Sequence, residues 1–418
     1  MRERAALVGL FKDSPRQFDP EHSLDELAGL ASAAGADVVL RVLQERAKPD
    51  PATFLGSGKV ASLAVACDEA SADMVIFDNE LSPAQLRNLE TALDRKVIDR
   101  TQLILDIFAR RARTREGKLQ VELAQLKYLM PRLVGAGAAL SRLGGGIGTR
   151  GPGETKLETD RRRIRHRISV VGKEIEAVRR RRSQLRERRH KAAVPTVALV
   201  GYTNAGKTTL FNALTGGDAA ASDALFVTLD PLVRKVRLPD RRELLVSDTV
   251  GFIERLPHSL VAAFRATLEE VAAADLLVHV IDASNQDRER HMAAVRAVLD
   301  EVGASGVPTL DVFNKGDLLD AGERARLTAL YPRALCVSAV TGDGRDELVA
   351  ALESRVALDT TTVTFEFDPG DADERAHIAQ LYRLGRILRH VAVDGRVTIE
   401  AEVPRRLLDR LRPAVQAS

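Results

Sequence analysis

Hydrophobic and polar residues change their spacing along the chain, and each spacing predicts a different architecture. Over residues 1–100, short apolar runs such as ALVGLF and DMVIFD alternate with helical patterns. Strands and helices in alternation form a parallel sheet. Helices are expected to start at Ser23 and at Ser82, because a Glu or Gln three residues after each completes a capping box. We therefore predict an N-terminal parallel α/β domain over residues 1–100.

Residues 101–193 show a second spacing, in which apolar residues recur every three or four positions. The pattern occurs on both sides of a glycine-rich stretch at residues 135–153, and we call its two halves the seams. The seams are Leu119, Leu123, Leu126, Met130 and Leu133, followed by Ile164, Ile168, Val171, Ile175 and Val178. Two seams bury each other when their helices pack side by side. The spacing predicts a long antiparallel helical hairpin with the glycine-rich loop near its turn.

The rest of the chain returns to mixed patterns. Residues 194–357 alternate buried-type strands with helices, which predicts a Rossmann-like three-layer domain. Residues 358–418 contain the runs VTFEF, HVAVDG and RVTIEAEVP and a helix from about Ala372, which predicts a small α+β domain of unassigned role. The whole chain is thus expected to be a multidomain α/β protein.

Composition excludes several classes of protein. The 418 residues are 45% hydrophobic and 29% charged, and every apolar run is far shorter than the roughly 20 residues that span a membrane. Cys67 and Cys336 are the two cysteines, and the eight histidines show no ligand spacing, so a disulfide framework and a zinc site are not expected. The first residues lack the long apolar run of a secretory signal. We expect a cytoplasmic protein.

Positive charge is concentrated in one segment. Between Arg161 and Lys191 there are fourteen Lys or Arg and three Asp or Glu, although the formal net charge of the chain is only +3. Such asymmetry favours a nucleic-acid partner, and a solvated helix face is the alternative. The candidate RNA-binding residues are Arg142, Arg150, Lys156, Arg161, Arg162 and Arg163.

Two glycine-rich stretches imitate nucleotide-binding motifs. Gly146, Gly148 and Gly151 match G-x-G-x-x-G, but a dinucleotide site needs a strand before the glycines, and here a helix is expected. A loop without side chains can instead approach RNA closely, or serve as a flexible connector. The run FLGSGKV at residues 54–60 is interpreted as a turn before a helix, although such a turn can also hold an anion.

A complete phosphate-binding loop follows residue 195. The run TVALVGYTNAGKTTLFNAL is a strand, then Gly201-x-x-x-x-Gly206-Lys207-Thr208, then a helix. Backbone N–H groups are expected to surround the β-phosphate, Lys207 to reach the β- and γ-phosphates, and Thr208 to bind Mg²⁺. The loop residues predicted to bind nucleotide are Gly201, Tyr202, Thr203, Asn204, Ala205, Gly206, Lys207, Thr208 and Thr209.

Residues downstream complete a site for a nucleoside triphosphate. Asp248 ends the strand LLVSD and is expected to hold Mg²⁺ through water, while the N–H of Gly251 is expected to meet the γ-phosphate. Thr228 lies in an irregular stretch and is the candidate second Mg²⁺ hydroxyl. Lys207, Thr228 and Gly251 are therefore the candidate catalytic residues.

The base pocket is predicted to select guanine. In the run TLDVFNKGDL, the Asp317 carboxylate has two acceptors that match the N1–H and the amino group of guanine, whereas adenine offers neither donor there. Lys315 is expected to lie over the base. Asn314 is expected to tie the loop at residues 314–317, which we call the base loop, to the phosphate loop. Ser338 and Ala339 are expected to complete the pocket.

These motifs, together with three longer runs, closely resemble the HflX family of ribosome-associated GTPases. The runs are FDNELSPAQLRNLE, VIDRTQLILDIFARRARTREGKLQVELAQLKYLMPRLVG and GGGIGTRGPGETKLETDRRRI, and the resemblance covers about residues 5–357. It implies a P-loop GTPase of the translation-factor class that binds the 50S subunit, hydrolyses GTP there and splits stalled ribosomes. In that family the hairpin and its glycine-rich loop reach toward the peptidyl-transferase centre.

Phe252 departs from the pattern of many GTPases, which carry a water-orienting glutamine at this position. Intrinsic hydrolysis is therefore expected to be slow unless another group, such as the ribosome, positions the water. Asn204 resembles the asparagine of GTPases that recruit K⁺ beside the phosphates. The alternative is that Asn204 only hydrogen-bonds its own loop.

Three functions remain compatible with the sequence. The first is a GTP-driven splitting factor, and the second is an RNA-binding factor in large-subunit assembly or remodelling that uses GTP as an occupancy signal. Adenine-nucleotide binding by the N-terminal domain is a weaker third, indicated only by Gly56 to Lys59. We expect the protein to be a monomer.

Overall fold

The computed structural model describes residues 2–11, 20–133, 156–191, 194–219, 225–239, 242–255, 270–356, 360–393 and 396–404. The described residues form two compact units. The first contains the residues up to Val178 together with 225–229 and Arg255. The second contains the described residues of Arg179–Ala221, Asp230–Glu254 and Arg265–Ser418.

The first unit begins with a four-stranded parallel sheet, as the alternating pattern predicts. Its strands have the order β2-β1-β3-β4, and every neighbouring pair is parallel. The elements are β1 (Glu3–Phe11), α1 (Pro20–Ala33), β2 (Ala36–Glu45), α2 (Ser57–Glu69), β3 (Met74–Phe77), α3 (Pro83–Leu93), β4 (Lys96–Asp99) and α4 (Arg100–Arg111). The strands β1 and β3 are buried along most of their length because helices cover the sheet.

Local sequence explains the start of α3 but not that of α1. Ser82 and Gln85 form the predicted capping box, and Pro83 occupies the first turn. The prediction that Ser23 starts a helix is wrong, since α1 already includes Pro20. The Ser23 hydroxyl instead donates to Asp78 Oδ2 at 2.6 Å. Ser23 is buried, so its hydroxyl needs a hydrogen-bond partner. Asp78, directly after β3, is that partner, and Ser23 lies inside α1 rather than at its start.

The run FLGSGKV forms a turn before a helix, which confirms that interpretation. Phe54 has a φ of +65°, and Gly56 is the cap residue from which α2 starts. Phe54 also packs edge-on against Phe77, with the ring centroids 6.2 Å apart. The turn is therefore part of the core of the first unit.

The predicted helical hairpin is formed by α5 (Arg115–Arg132) and α6 (Lys156–Lys191). Arg115 pairs with Glu174 at 2.9 Å, and Arg167 Nη2 donates to Glu122 Oε2 at 2.8 Å. A step of seven residues forward along α5 is thus a step of seven back along α6, which confirms the antiparallel packing. The predicted loop at residues 135–153, with Arg142 and Arg150, lies outside the described residues.

The buried side of α5 is broader than its seam. Leu119 is buried as predicted, but Leu123 and Leu126 are only half-buried, whereas Ala124 and Tyr128 are fully buried. The extra burial arises because α5 also packs against α4. A helix covered on two sides needs a wider apolar stripe than a two-helix hairpin alone.

The second unit contains a six-stranded sheet with the order β10-β9-β8-β5-β7-β6, in which only β6 is antiparallel to its neighbour. The strands are β5 (Thr196–Gly201), β6 (Leu232–Arg237), β7 (Glu243–Asp248), β8 (Leu276–Asp282), β9 (Thr309–Asn314) and β10 (Leu335–Cys336). The helices are α7 (Lys207–Thr215), α8 (Arg288–Glu301), α9 (Ala321–Leu330) and α10 (Arg345–Val356), with a 3₁₀ turn at Gly316–Leu318. The predicted Rossmann-like layers are confirmed.

A small antiparallel sheet follows, with strands β11 (Thr360–Phe367), β12 (Arg386–Val393) and β13 (Arg396–Pro404) in the order β11-β13-β12. The helix α11 (Ala372–Leu384) packs on it, and Phe365, Leu381 and Ile399 are fully buried between them. This confirms the predicted α+β fold of the tail. Within the described part of the chain, no helix has the length and hydropathy needed to cross a membrane.

Candidate nucleotide-binding site

The phosphate loop connects β5 to α7, and two of its glycines are required by close backbone packing. Gly201 has a φ of +154°, and a Cβ there would lie 2.2 Å from the carbonyl oxygen of Val280. Gly206 has a φ of +86°, and a Cβ there would lie 2.2 Å from Asn314 Nδ2. A larger residue at Gly201 would push the loop away from β8, and one at Gly206 would push it away from Asn314. The two glycines of the motif are therefore required for steric reasons.

Lys207 lies inside this loop. Its side chain is almost fully buried, and Nζ donates to the carbonyl oxygens of Gly201 at 3.1 Å and Tyr202 at 2.7 Å. Burial lowers the pKa of Lys207 to about 8, and the nearby Asp248 carboxylate opposes that effect. An ammonium held against the loop carbonyls is well placed to meet phosphate oxygens.

The predicted magnesium ligands Thr208 and Asp248 are in contact. Thr208 Oγ1 donates to Asp248 Oδ2 at 2.8 Å, and Asp248 is fully buried at the end of β7. Mg²⁺ is held by one or two protein oxygens together with substrate phosphates and water, so this pair fits the ion. Among the described residues, no group of three or more His, Cys, Asp or Glu side chains would hold a metal without such help. Bound there, the ion would neutralise phosphate charge.

Gly251 lies directly against the phosphate loop. A Cβ on Gly251 would be 2.8 Å from Thr203 Cγ2 and 3.1 Å from Lys207 Nζ. The absence of a side chain therefore lets the backbone of Gly251 approach the place where Lys207 would hold a γ-phosphate. The next residue, Phe252, is 1% exposed, so its ring is packed in the core. A buried hydrocarbon ring has no means to orient an attacking water.

Asn314 ties the base loop to the phosphate loop, as the sequence suggests, and also to a third segment. Its Nδ2 donates to the carbonyl oxygen of Ala205 at 2.9 Å, and its Oδ1 accepts from the N–H of Ala339 at 2.9 Å. Asn314 is 2% exposed. One buried amide thus holds together all three parts of the predicted pocket, and both of its polar ends are satisfied.

The remaining base-pocket residues lie around the carboxyl end of β9. Lys315 has a φ of +64°, and its Nζ pairs with Asp282 Oδ2 at 2.7 Å. Asp317 is exposed in the 3₁₀ turn, which leaves its carboxylate accessible to a base. Ser338 is buried, and its Oγ accepts from the N–H of Thr341 at 3.1 Å. The structure brings the predicted base-binding residues together within the second unit.

Asp282 was not predicted as a site residue. It ends β8 beside Asn314, and its carboxylate holds the Lys315 ammonium. The available signal was its position, because an acidic residue directly after the buried run LLVHVI lies at the edge of a parallel sheet where ligands bind. Its partner could be identified only from the strand order.

Thr228 and Asn204 are two predicted site residues whose roles depend on a bound ion. Thr228 is half-buried and belongs to the first unit, so its predicted role as a magnesium ligand stays a prediction. Asn204 is exposed with a φ of +59°. Its side chain makes no hydrogen bond to the described residues, which argues against the alternative that it only bonds its own loop.

The cationic residues of α6 lie on the hairpin. Lys156 begins the helix, Arg161 is half-buried, and Arg162 and Arg163 are exposed. The contact of Arg163 with Asp160 is long, at 3.8 Å, and its side chain is 78% exposed. Such a pair holds the arginine weakly, so the charge remains accessible to a polyanion.

Three family models match the chain in succession. A model described as GTP-binding GTPase N-terminal matches residues 21–109, and GTP-binding GTPase Middle Region matches residues 111–189. A third, described as 50S ribosome-binding GTPase, matches residues 196–315. Together they cover more than half of the chain.

Curated relatives match almost the full length. The GTPase HflX of Caldanaerobacter subterraneus subsp. tengcongensis is 46% identical over 411 residues, covering 98% of this chain and 93% of the relative. The GTPase HflX of Escherichia coli K12 is 45% identical over 404 residues, covering 96% and 94%. A GTP-binding protein from Sulfolobus solfataricus, solved in complex with GDP, is 24% identical, with a TM-score of 0.46 and coverage of 85% and 98%.

Proposed function

We propose that this chain, which belongs to the HflX family of GTPases, binds the large ribosomal subunit and splits stalled or idle 70S ribosomes into subunits. The chain is a GTP hydrolase whose nucleotide domain matches the ribosome-binding GTPases. Splitting, the rRNA contacts of the hairpin and a cytoplasmic, monomeric state are parts of the proposal. So is the division into domains at residues 1–100, 101–193, 194–357 and 358–418.

The observation that carries the proposal is the exposed positive charge of α6. Arg162, Arg163, Arg165, Arg180 and Arg181 are all exposed on this one helix. Cationic side chains that keep their charge accessible bind nucleic-acid phosphates and release counterions. A helical hairpin is also long and narrow enough to enter a groove between RNA helices. Both properties support rRNA as the partner of the hairpin.

Contacts inside the first unit support a link between nucleotide state and the hairpin. Phe226, two residues before Thr228, packs edge-on against Phe108 of α4 at 4.7 Å. Arg255, four residues after Gly251, pairs with Asp78 at 3.2 Å. We infer that the residues around Thr228 and those after Gly251 respond to the γ-phosphate. Ordering of these segments by GTP would then bias the pose of the hairpin on rRNA.

We also propose that Asn204 recruits K⁺, in addition to Mg²⁺ at Thr208, Thr228 and Asp248. The support is that Asn204 is exposed within the phosphate loop and that Phe252 supplies no catalytic polar group. GTP turnover should be faster in KCl than in NaCl at equal ionic strength. Equal turnover in the two salts would remove K⁺ from the mechanism.

The test of splitting is sedimentation of purified 70S ribosomes through sucrose gradients with the protein and GTP, GDP or a non-hydrolysable GTP analogue. The proposal expects free subunits with GTP and with the analogue, since binding energy separates the subunits and hydrolysis permits release. Intact 70S particles under all three conditions would contradict it. If the protein instead sediments with immature large subunits from cells, the assembly function is favoured.

A further inference from the structure

The residues after Gly251 run alongside the phosphate loop as a short extension of the parallel sheet. Tyr202 and Phe252 form a parallel bridge. The N–H of Phe252 donates to the carbonyl oxygen of Gly201 at 3.1 Å, and the N–H of Thr203 donates to the carbonyl oxygen of Phe252 at 2.7 Å. The residue after Gly251 is therefore hydrogen-bonded to the phosphate loop at Gly201 and at Thr203.

A cluster of side chains holds the end of this segment at Glu254. The N–H of Glu254 donates to the Tyr202 hydroxyl at 3.0 Å. Nε and Nη2 of Arg290, in the first turn of α8, donate to the two carboxylate oxygens of Glu254. The Tyr202 ring stacks on His291, with centroids 3.7 Å apart and planes 6° apart. We call these four residues the Glu254 clamp.

The clamp has the properties of a rigid support. The side chains of Arg290 and Glu254 are 30% and 19% exposed, so water competes only partly for their paired hydrogen bonds. The bond to Glu254 raises the pKa of the Arg290 guanidinium, which remains charged at any physiological pH. Burial lowers the pKa of His291, which favours the neutral form of the ring that stacks on Tyr202.

We propose that Glu254 and Arg290 are positioning residues for GTP hydrolysis, which act by fixing the backbone of residues 251–254 so that the Gly251 N–H meets the γ-phosphate. Their role is to position the backbone, and the proposal assigns neither side chain a contact with the nucleotide. Both act through residues 251–254, which the phosphate loop also bonds at Phe252. The inference rests on the proposed role of Gly251, and it is independent of ribosome splitting.

Without the Glu254 clamp, the backbone at Gly251 would be held less firmly in position. Gly251 has no side chain to pack, and Phe252 anchors its ring in the core rather than at the nucleotide. Without a support beyond residue 252, the backbone after Gly251 would be held at Phe252 by its two hydrogen bonds to the phosphate loop. A paired, charge-assisted contact adds more than either of them because it is bidentate and partly shielded.

The test compares Glu254→Gln and Arg290→Lys with the parent in single-turnover GTP hydrolysis and in binding of fluorescent GDP and of a non-hydrolysable GTP analogue. Each variant should hydrolyse about tenfold more slowly, the loss that corresponds to one charge-assisted hydrogen bond. The GTP analogue should bind more weakly and GDP should bind as before, since GDP lacks the γ-phosphate. A variant that merely loosened the fold would lose both ligands and melt at a lower temperature.

Two further variants make the outcome specific. Glu254→Arg combined with Arg290→Glu restores an ion pair with exchanged ends and should recover much of the lost rate. Glu243→Gln removes the partner of Lys235, a 2.9 Å pair at the start of β7, and is the matched control that should leave all rates unchanged. A parental hydrolysis rate in Glu254→Gln, or equal weakening of GDP and analogue binding, would overturn the proposal.

The variant Gly251→Ala tests the role of Gly251 separately from the role of the clamp. An added Cβ would collide with Thr203, so this variant should lose affinity for the GTP analogue more than for GDP. If it keeps both affinities, the assigned role of Gly251 is wrong. If Gly251→Ala responds and the clamp variants do not, Gly251 acts without help from Glu254.

Discussion

The nucleotide site and the cationic hairpin are both built for anions, yet they recognise them by opposite means. In the nucleotide site Lys207, Asp248 and Asn314 are nearly or fully buried, and each has defined partners at hydrogen-bond distance. On α6, Arg162 and Arg163 are exposed. A buried group depends on exact partners, whereas an exposed charge acts over a distance and is screened by salt. Single substitutions should therefore affect the first region severely and the second gradually.

The largest effect is expected from Asp317→Asn. The amide presents one acceptor where the carboxylate has two, and its NH₂ group faces the donors of guanine, so GTP affinity should fall by at least about a hundredfold. Xanthine nucleotides, which carry a carbonyl in place of the amino group, should bind the variant better than guanine nucleotides. Fluorescence titration with both nucleotides measures the switch, and unchanged selectivity would remove Asp317 from the base pocket.

The next largest effect is expected from Asn314→Ala. The change removes the bonds to Ala205 and Ala339 and leaves both backbone groups without their partner, which should weaken GDP binding by about thirtyfold. Asn212→Ala is the matched control, because the Asn212 amide also bonds a backbone N–H and a backbone carbonyl, both of Ala219. The control should lower the melting temperature and change GDP affinity far less. Equal loss of affinity in both variants would mean that Asn314 acts only on stability.

A smaller effect is expected when Arg161, Arg162 and Arg163 are replaced together by Gln. Binding to ribosomes should weaken by about tenfold at moderate salt, and the slope of log affinity against log salt should flatten by up to about three. A triple replacement of Arg326, Arg333 and Arg375, which are exposed in the second unit, changes the net charge equally and serves as control. Identical salt slopes for the two variants would place the three α6 arginines off the interface.

The smallest effect is the pH dependence of nucleotide binding. Well below pH 8 Lys207 is charged in both the free and the bound protein, so affinity should be constant there. Above its pKa of about 8 the free protein loses this charge, and binding must take up a proton, so affinity falls as the pH rises. Between pH 7 and pH 8.5 the decrease should be about fourfold. Calorimetry in buffers of different ionisation enthalpy measures the proton uptake directly, and its absence at pH 8.5 would contradict a depressed pKa.

The two regions also differ in how far they could be predicted. Gly201, Gly206, Lys207 and Thr208 follow a spacing imposed by a tight turn around phosphate, and such a local constraint is readable in sequence. The seams predicted the hairpin for a similar reason, because helical periodicity is local. The expected helix start at Ser23 was wrong, since the partner of Ser23 is Asp78, 55 positions away. A contact at that distance leaves no periodic signal.

The amino-acid sequence by itself determined the parallel sheet, the hairpin and the phosphate loop, because each follows from short-range periodicity or from a motif whose members are neighbours in the chain. Only the tertiary structure decided that Asp282 holds Lys315, that Asn314 also bonds Ala339, and that Arg290 and Tyr202 hold Glu254. These contacts form where strands and helices distant in sequence meet at the edge of one sheet. The strand order, which no local pattern encodes, sets which of their side chains come within hydrogen-bond distance.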